Sequence, residues 1–241
     1  MHWLVSDSPS ALNFSNVTFK DITRFFAAIL TYPLDFAIDL LSTGFRFEPG
    51  DGPADIPRLP WLTVAGCGIW FAHRLGGTRL MVIVGACLAY LVVFGQWDSA
   101  MMTFSSIFIA VPIGVIGGIS LGILAFRFSR LNRPTSILLD MMQTVPVFAY
   151  LVPVLFLFGF GPVAAMIATI IYAMPPMVRT TILGLQRVSN EVVEFGQMAG
   201  CSSRQLLWKV MMPSARPTVM VGVNQVIMLS LNMVIIASMI G

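Results

Sequence analysis

The chain has 241 residues, 57% of them hydrophobic and 10% charged, with a net charge of +3 and a mean hydropathy of +0.85. A soluble domain carries about 25% charged residues, so this composition excludes one and indicates an all-α, multi-pass membrane protein. Cys67, Cys87 and Cys201 have neither pairing nor metal-ligand spacing, His2 and His73 stand apart without acidic neighbours, and neither Lys20 nor Lys209 follows a glycine as a phosphate-cradling loop requires.

The first residues lack a basic n-region and an apolar run ahead of a small-residue cleavage site, so no signal peptide is expected. From 19 to 43, Asp21, Arg24, Thr31, Asp35, Asp39 and Ser42 recur at near-helical spacing among Phe25, Phe26, Ile29, Phe36 and Leu40. Acids in the middle of a lone span are costly. An amphipathic helix in the outer interface avoids that cost, with Pro33 expected to kink it. A kinked seventh span, with the N-terminus inside, is the alternative. The stretch 44–60, with Glu48, Pro49, Gly50, Asp51, Gly52, Pro53, Asp55 and Pro57, reads as a turn-rich linker. The chain thus divides into an N-terminal helix and linker, 1–59, and a transmembrane domain, 60–241.

A span needs roughly 20 apolar residues, and shorter runs need help from neighbours. About six candidates follow: 60–72, 79–95, 100–126, 135–158, 162–184 and 217–240. Charge in the loops orients them. Arg74 and Arg79, then Arg127, Arg130 and Arg133, then Arg187, Arg204, Lys209 and Arg216 fall in every second loop; the intervening ones hold only Asp98 or no charge. The basic loops are therefore expected in the cytoplasm. Gly114, Gly118 and Gly122 form a small-residue face suited to close packing of another helix of the same chain.

In the fourth span Gln143 and Thr144 lie beside Pro146, which removes a backbone hydrogen bond and opens the helix wall. Asp140, near the cytoplasmic end, is expected to cap or pair. Pro175-Pro176 is expected to break the fifth span as it leaves the membrane. Asn224, Gln225 and Asn232 form a second polar set in the last span. Either set lines a path for a small zwitterion or bonds helix to helix. The abundant methionines, Met141, Met142, Met211, Met212 and Met220 among them, read as adaptable packing.

A polar island from Ser189 to Pro213 interrupts the apolar runs. Ser189 and Asn190 suit a helix cap, with Glu191 and Glu194 near the positive end. Gly200 suits a left-handed turn. Ser202 and Gln205 then make a capping box for a second helix. There Leu206, Leu207, Val210 and Met211 mark an apolar face, with Arg204 and Lys209 elsewhere. Pro213 is expected to end it. Such a hairpin either docks on a partner or rests on lipid headgroups.

Glu194, Gly200, Val210, Met212 and Pro213 resemble the coupling-loop pattern of ATP-binding cassette (ABC) importer permeases: E-A-A-x-x-x-G, nine residues, then I-x-L-P. Phe195-Gly196 departs from the paired alanines. Leu139–Pro146, Ala173–Arg179, Gly222–Gln225 and the closing Ile236–Gly241 resemble permeases of the glycine betaine/proline type in particular. That family continues with a glycine-containing turn and a further helix, whereas this sequence stops at Gly241; a longer natural chain and a core without that helix both remain open.

The resemblance implies a bacterial inner-membrane permease for a small osmolyte such as glycine betaine, choline or a related methylated amine. Its implied partners are cytoplasmic ATPase subunits that bind ATP and magnesium, a second permease unit and an extracytoplasmic binding protein; no cofactor, metal or nucleic acid is implied for this chain. Glu191, Glu194, Phe195, Gly196, Gly200, Ser202, Arg204 and Pro213 are the implied ATPase-coupling residues. Gln143, Thr144, Pro146, Asn224, Gln225 and Asn232 are the candidate path. The rivals are a methionine-type amino-acid importer and an ion-coupled secondary transporter. The latter would favour an inverted repeat and membrane-centre acids.

Overall fold

A computed structural model describes residues 19–44 and 59–238; most of the linker expected at 44–60 and the last three residues of the closing motif lie outside them. Every regular element among the described residues is a helix: α1 (Phe19–Ile38), α2 (Trp61–Val93), α3 (Trp97–Arg127), α4 (Ser129–Thr144), α5 (Phe148–Phe158), α6 (Pro162–Gln186), α7 (Asn190–Met198), α8 (Ser203–Gln205) and α9 (Met212–Ser238). Two wide π turns, Asp39–Thr43 and Leu206–Met211, extend α1 and join α8 to α9.

The centre of the bundle is α6, which makes its most extensive contacts with α9 and α3. Ala164, Met166, Ala168, Ala173, Met177, Val178 and Leu185 are buried along its length. The glycine face of α3 is spent on this contact. A β-carbon on Gly118 would come within 2.6 Å of Met177, and one on Gly122 within 2.6 Å of Thr181 and 3.0 Å of the Val178 carbonyl. Small residues thus let the α3 backbone approach α6 closely. Two buried hydroxyls of α6 return to carbonyls of their own helix, Thr169 to Ala165 at 2.7 Å and Thr181 to Met177 at 2.8 Å, so they cost little in an apolar setting.

Four helices are long and apolar enough to cross a membrane: Trp61–Val93, Trp97–Arg127, Pro162–Gln186 and Ser203–Ile236; α4 and α5 make a fifth if taken as one span. The sequence reading of six treated 60–72 and 79–95 separately, and here both lie in α2. Gly77 breaks that helix with φ 67° and ψ −160°, a conformation only glycine adopts cheaply. A β-carbon on Gly68 would lie 3.5 Å from Leu88, and one on Gly85 3.8 Å from Ile69. A straight helix would hold positions 68 and 88 about 30 Å apart. The helix therefore doubles back at Gly77, in two legs, 61–76 and 78–93. Ala65 packs beside Leu88, Leu91 and Trp97, at the open end of this hairpin.

Three proline expectations change. The run 135–158 is not one helix, because α4 and α5 meet at 98° across Val145–Val147. Pro175-Pro176 does not break α6, which continues from Pro162 to Gln186; packing between α3 and α9 holds it together. Pro213 does not end the second island helix but lies inside the 34-residue stretch Ser203–Ile236. Proline has no N–H for the Lys209 carbonyl. The turn before it widens, the Met212 N–H reaches back to the Leu207 carbonyl, and the Ser214 hydroxyl meets the Val210 carbonyl at 2.8 Å.

Helix α1 runs unbroken through Pro33. It is held by protein, not by a lipid surface alone: Leu34 is completely buried with Ala110, Met166 and Ile170, and the Ser105 hydroxyl donates to the Ala37 carbonyl at 3.2 Å. These partners lie in the halves of α3 and α6 remote from the arginine-bearing turns. That is the end where the sequence put an interfacial helix. Ile29, Tyr32 and Phe36 stay exposed on its other side, as do Trp70, Val82, Phe108 and Ile116 on the outer wall, an apolar belt suited to lipid.

Candidate functional site

Two constructions stand out, both at the end that bears Arg127, Arg133 and Arg187. The first is the arm formed by the polar island. Helix α7 ends in a Schellman turn: the Cys201 N–H donates to the Gly196 carbonyl at 3.1 Å, the Gly200 N–H donates to Gln197 at 2.9 Å, and Gly200 has φ 76°. The capping box is complete, with the Ser202 N–H on Gln205 Oε1 at 2.9 Å and the Gln205 N–H on Ser202 Oγ at 3.4 Å. At the start of α7 the sequence expectation was only half right. Ser189 occupies the cap position and its carbonyl accepts from Val192 and Val193, but its side chain makes no capping bond.

The two halves of the arm pack on each other through Val193, Leu206, Leu207 and Met211. Gly196, where the family pattern has alanine, is buried at this seam. A β-carbon there would meet Leu206 Cδ1 at 2.6 Å and Val210 at 3.3 Å. The Leu206 side chain occupies the space that an alanine methyl at 196 would take.

With Val192, Val193 and Gly196 turned inward, Glu191, Glu194, Phe195 and Met198 form the outward face at i, i+3, i+4 and i+7. Phe195 is 69% and Met198 80% exposed. A helix resting on lipid separates acids from apolar residues; this face mixes them. Among the described residues neither glutamate forms an ion pair. Arg204, Trp208 and Lys209 are exposed on the second half of the arm.

The second construction is an open cleft of about 680 Å³ between α4, α6 and α9, and it brings together Gln143, Asn224 and Gln225 from the candidate path. Gly222 lets α9 lie close on α6 beside it: a β-carbon there would sit 2.0 Å from Thr180 Oγ1 and 2.9 Å from the Met177 sulfur. Apolar walls come from Leu183, Val221 and Met228.

Thr144, Pro146 and Asn232 do not line this cleft. The Thr144 hydroxyl donates to the Met141 carbonyl at 2.9 Å. Pro146 shapes the elbow instead: the Met142 carbonyl, which would receive the missing N–H at 146, accepts the Tyr150 hydroxyl. Asn232 lies on α9 beyond the far end of the cleft.

Arg179 and Thr180 line the cleft as well, and sequence reasoning assigned neither to the path. Arg179 stood in a recognised motif, but an arginine near the end of a span reads as a boundary marker. The signal was its place after Pro175-Pro176 in a helix that is not broken. Its guanidinium pairs with Asp140 on α4, so Asp140 pairs as expected.

The family model described as "Binding-protein-dependent transport system inner membrane component" matches residues 114–241, which contain both the arm and the cleft. The trimethylamine N-oxide transport system permease protein TmoV of Pelagibacter ubique is 38% identical over 229 residues, covering 91% of this chain and 32% of that protein. The glycine betaine/proline betaine transport system permease protein ProW of Escherichia coli is 43% identical over 204 residues, covering 85% and 56%. For the glycine betaine transport system permease protein OpuAB of Bacillus subtilis the identity is 38% over 173 residues, covering 71% and 60%. The chain thus spans a minor part of the first relative and little more than half of the others. With its apolar helices, and with more than half its length matched, the chain belongs to the binding-protein-dependent transport system inner membrane component family, as a multi-pass inner-membrane protein.

Proposed function

We propose that this chain is the permease unit of an ABC importer for a small methylated solute carrying both a cationic or polarised nitrogen and a negative oxygen. A second permease unit completes the path, cytoplasmic ATPase subunits dock on the arm, and an extracytoplasmic binding protein delivers the solute. ATP and magnesium act on the ATPase. The solute class is taken from the relatives' names, which cite glycine betaine, proline betaine and trimethylamine N-oxide; none of these names points to the methionine-type alternative.

The observation that carries the reading is the arm's outward face. Phe195 and Met198 give a rigid helix two large apolar anchors of the kind that interface cores favour, with Glu191 and Glu194 beside them as a charged rim. Its second half continues without a break into α9, so a push on the arm reaches Asn224 and Gln225 in the cleft. Nucleotide binding on the partner would then bias one of two arrangements of the path, and the ligand shifts that balance only through different affinity for the two. In the cleft the amides of Gln143, Asn224 and Gln225 stand in for water around a polar solute, whose desolvation would otherwise be costly.

The test is Glu194→Lys in the assembled complex in proteoliposomes. The expected outcome is normal insertion and assembly, with ATP hydrolysis no longer linked to uptake. Uptake at the wild-type rate would remove the arm from this role.

A further inference from the structure

We propose that Arg179 is the contact for the negative end of the solute in the cleft and that Asp140 is the positioning residue that holds its guanidinium there; this rests on the reading of the chain as a permease for dipolar methylated solutes. Arg179 is the one charged side chain among the described residues lining the cleft, and it shares that wall with Gln143, Asn224 and Gln225. An arginine presents a planar fork of donors matched to a carboxylate. Its Nη2 donates to Asp140 Oδ1, which leaves its other N–H groups for a ligand.

A purely structural account of this pair is weak. The Arg179 and Asp140 side chains are 39% and 61% exposed in the isolated chain, so the pair is open on the cleft side and not sealed between α4 and α6. Asp140 also precedes Gln143 by one helical turn, so both face the cleft side of α4. Methyl groups on the solute's nitrogen can lie on Val221, Leu183 and Met228 while its oxygen meets Arg179. Asp140 keeps the empty cleft close to neutral, so the solute is neither repelled nor held too tightly to leave. Sequence reading missed this because the partners lie on different helices and meet only once α4 turns away at Val145–Val147.

The experiment measures assembled complex and glycine betaine uptake side by side in proteoliposomes containing the ATPase and the loaded binding protein. Arg179→Gln is expected to assemble and to lose about tenfold or more of its uptake, the range for a lost charged hydrogen bond. Arg179→Lys, which keeps the cation but loses the planar fork, is expected to fall between Arg179→Gln and the wild type. The exchange Arg179→Asp with Asp140→Arg keeps an ion pair but turns a carboxylate toward the solute; it is expected to assemble and stay as slow as Arg179→Gln. Recovery of uptake in the exchanged pair, or full uptake by Arg179→Gln, would overturn the proposal and leave the pair a simple tie between α4 and α6. A yield loss in Arg179→Gln alone leaves the lysine and exchanged variants to decide. Wild-type complex that takes up no methylated zwitterion would instead remove the functional reading and this inference with it, an outcome distinct from a wild type that transports while its variants do too.

Discussion

Pro146 cannot donate a backbone hydrogen bond, and the chain answers with two hydroxyls: Thr144 on the Met141 carbonyl and Tyr150 on the Met142 carbonyl. Tyr150→Phe should therefore leave a carbonyl at the elbow without its partner and cost about 1–3 kcal/mol, read as a lower Tm and faster amide exchange around 142–150. An unchanged Tm and exchange pattern would show that the elbow does not depend on that bond. Gln143→Leu tests the cleft at the same scale. An apolar wall cannot hydrate a carboxylate, so uptake should fall while assembly is kept; loss of assembly instead would assign Gln143 to helix bonding. Gln143, Asn224 and Gln225 were legible from sequence because an amide in an apolar run must face a partner or a wet cavity. Thr144 and Asn232 carried the same signal but not the same meaning. A threonine hydroxyl can satisfy itself on its own helix, and Asn232 lies beyond the end of the cleft.

At the scale of elements, the sequence placed the prolines but not their effects: Pro175-Pro176 and Pro213 do not end their helices, and Pro146 turns the chain where only an opened wall was expected. Whether a proline breaks a helix depends on what packs around it. Pro175-Pro176 sits in α6, clamped by α3 and α9, and the helix continues; Pro213 follows a widened turn that makes room for it; Pro146 sits in a thinly packed segment and the chain turns by 98°. The arm was the most legible element, because caps, turn glycine and apolar seam are all local. Packing sets two opposite expectations for glycine. Gly122→Ala forces a β-carbon against Thr181 Cβ and the Val178 carbonyl, neither of which can swing away, and should destabilise by about 1–3 kcal/mol. Gly196→Ala meets the tip of Leu206, which can rotate, and gains up to about 1 kcal/mol of helix propensity; it should be near neutral. Thermal unfolding of both variants in detergent checks the contrast, and equal losses would contradict it.

The whole molecule has the turns at Gly77, at Phe128 and after α6 at one end of the bundle and the start of α3, with Asp98, at the other. Single cysteines placed at Arg130 and Asp98 should therefore be labelled from opposite sides of the membrane, the first from the cytoplasm. Labelling of both from one side would contradict the orientation. The docking of an ATPase on the arm at that end is tested by a photoreactive residue placed at Met198 in membranes containing the ATPase subunit. Met198 points outward from the mixed face and lies clear of the arm's own seam. A crosslinked band holding this chain and the ATPase, weakened by Glu194→Lys, is expected. Crosslinks to lipid alone, at full ATPase occupancy, would contradict it.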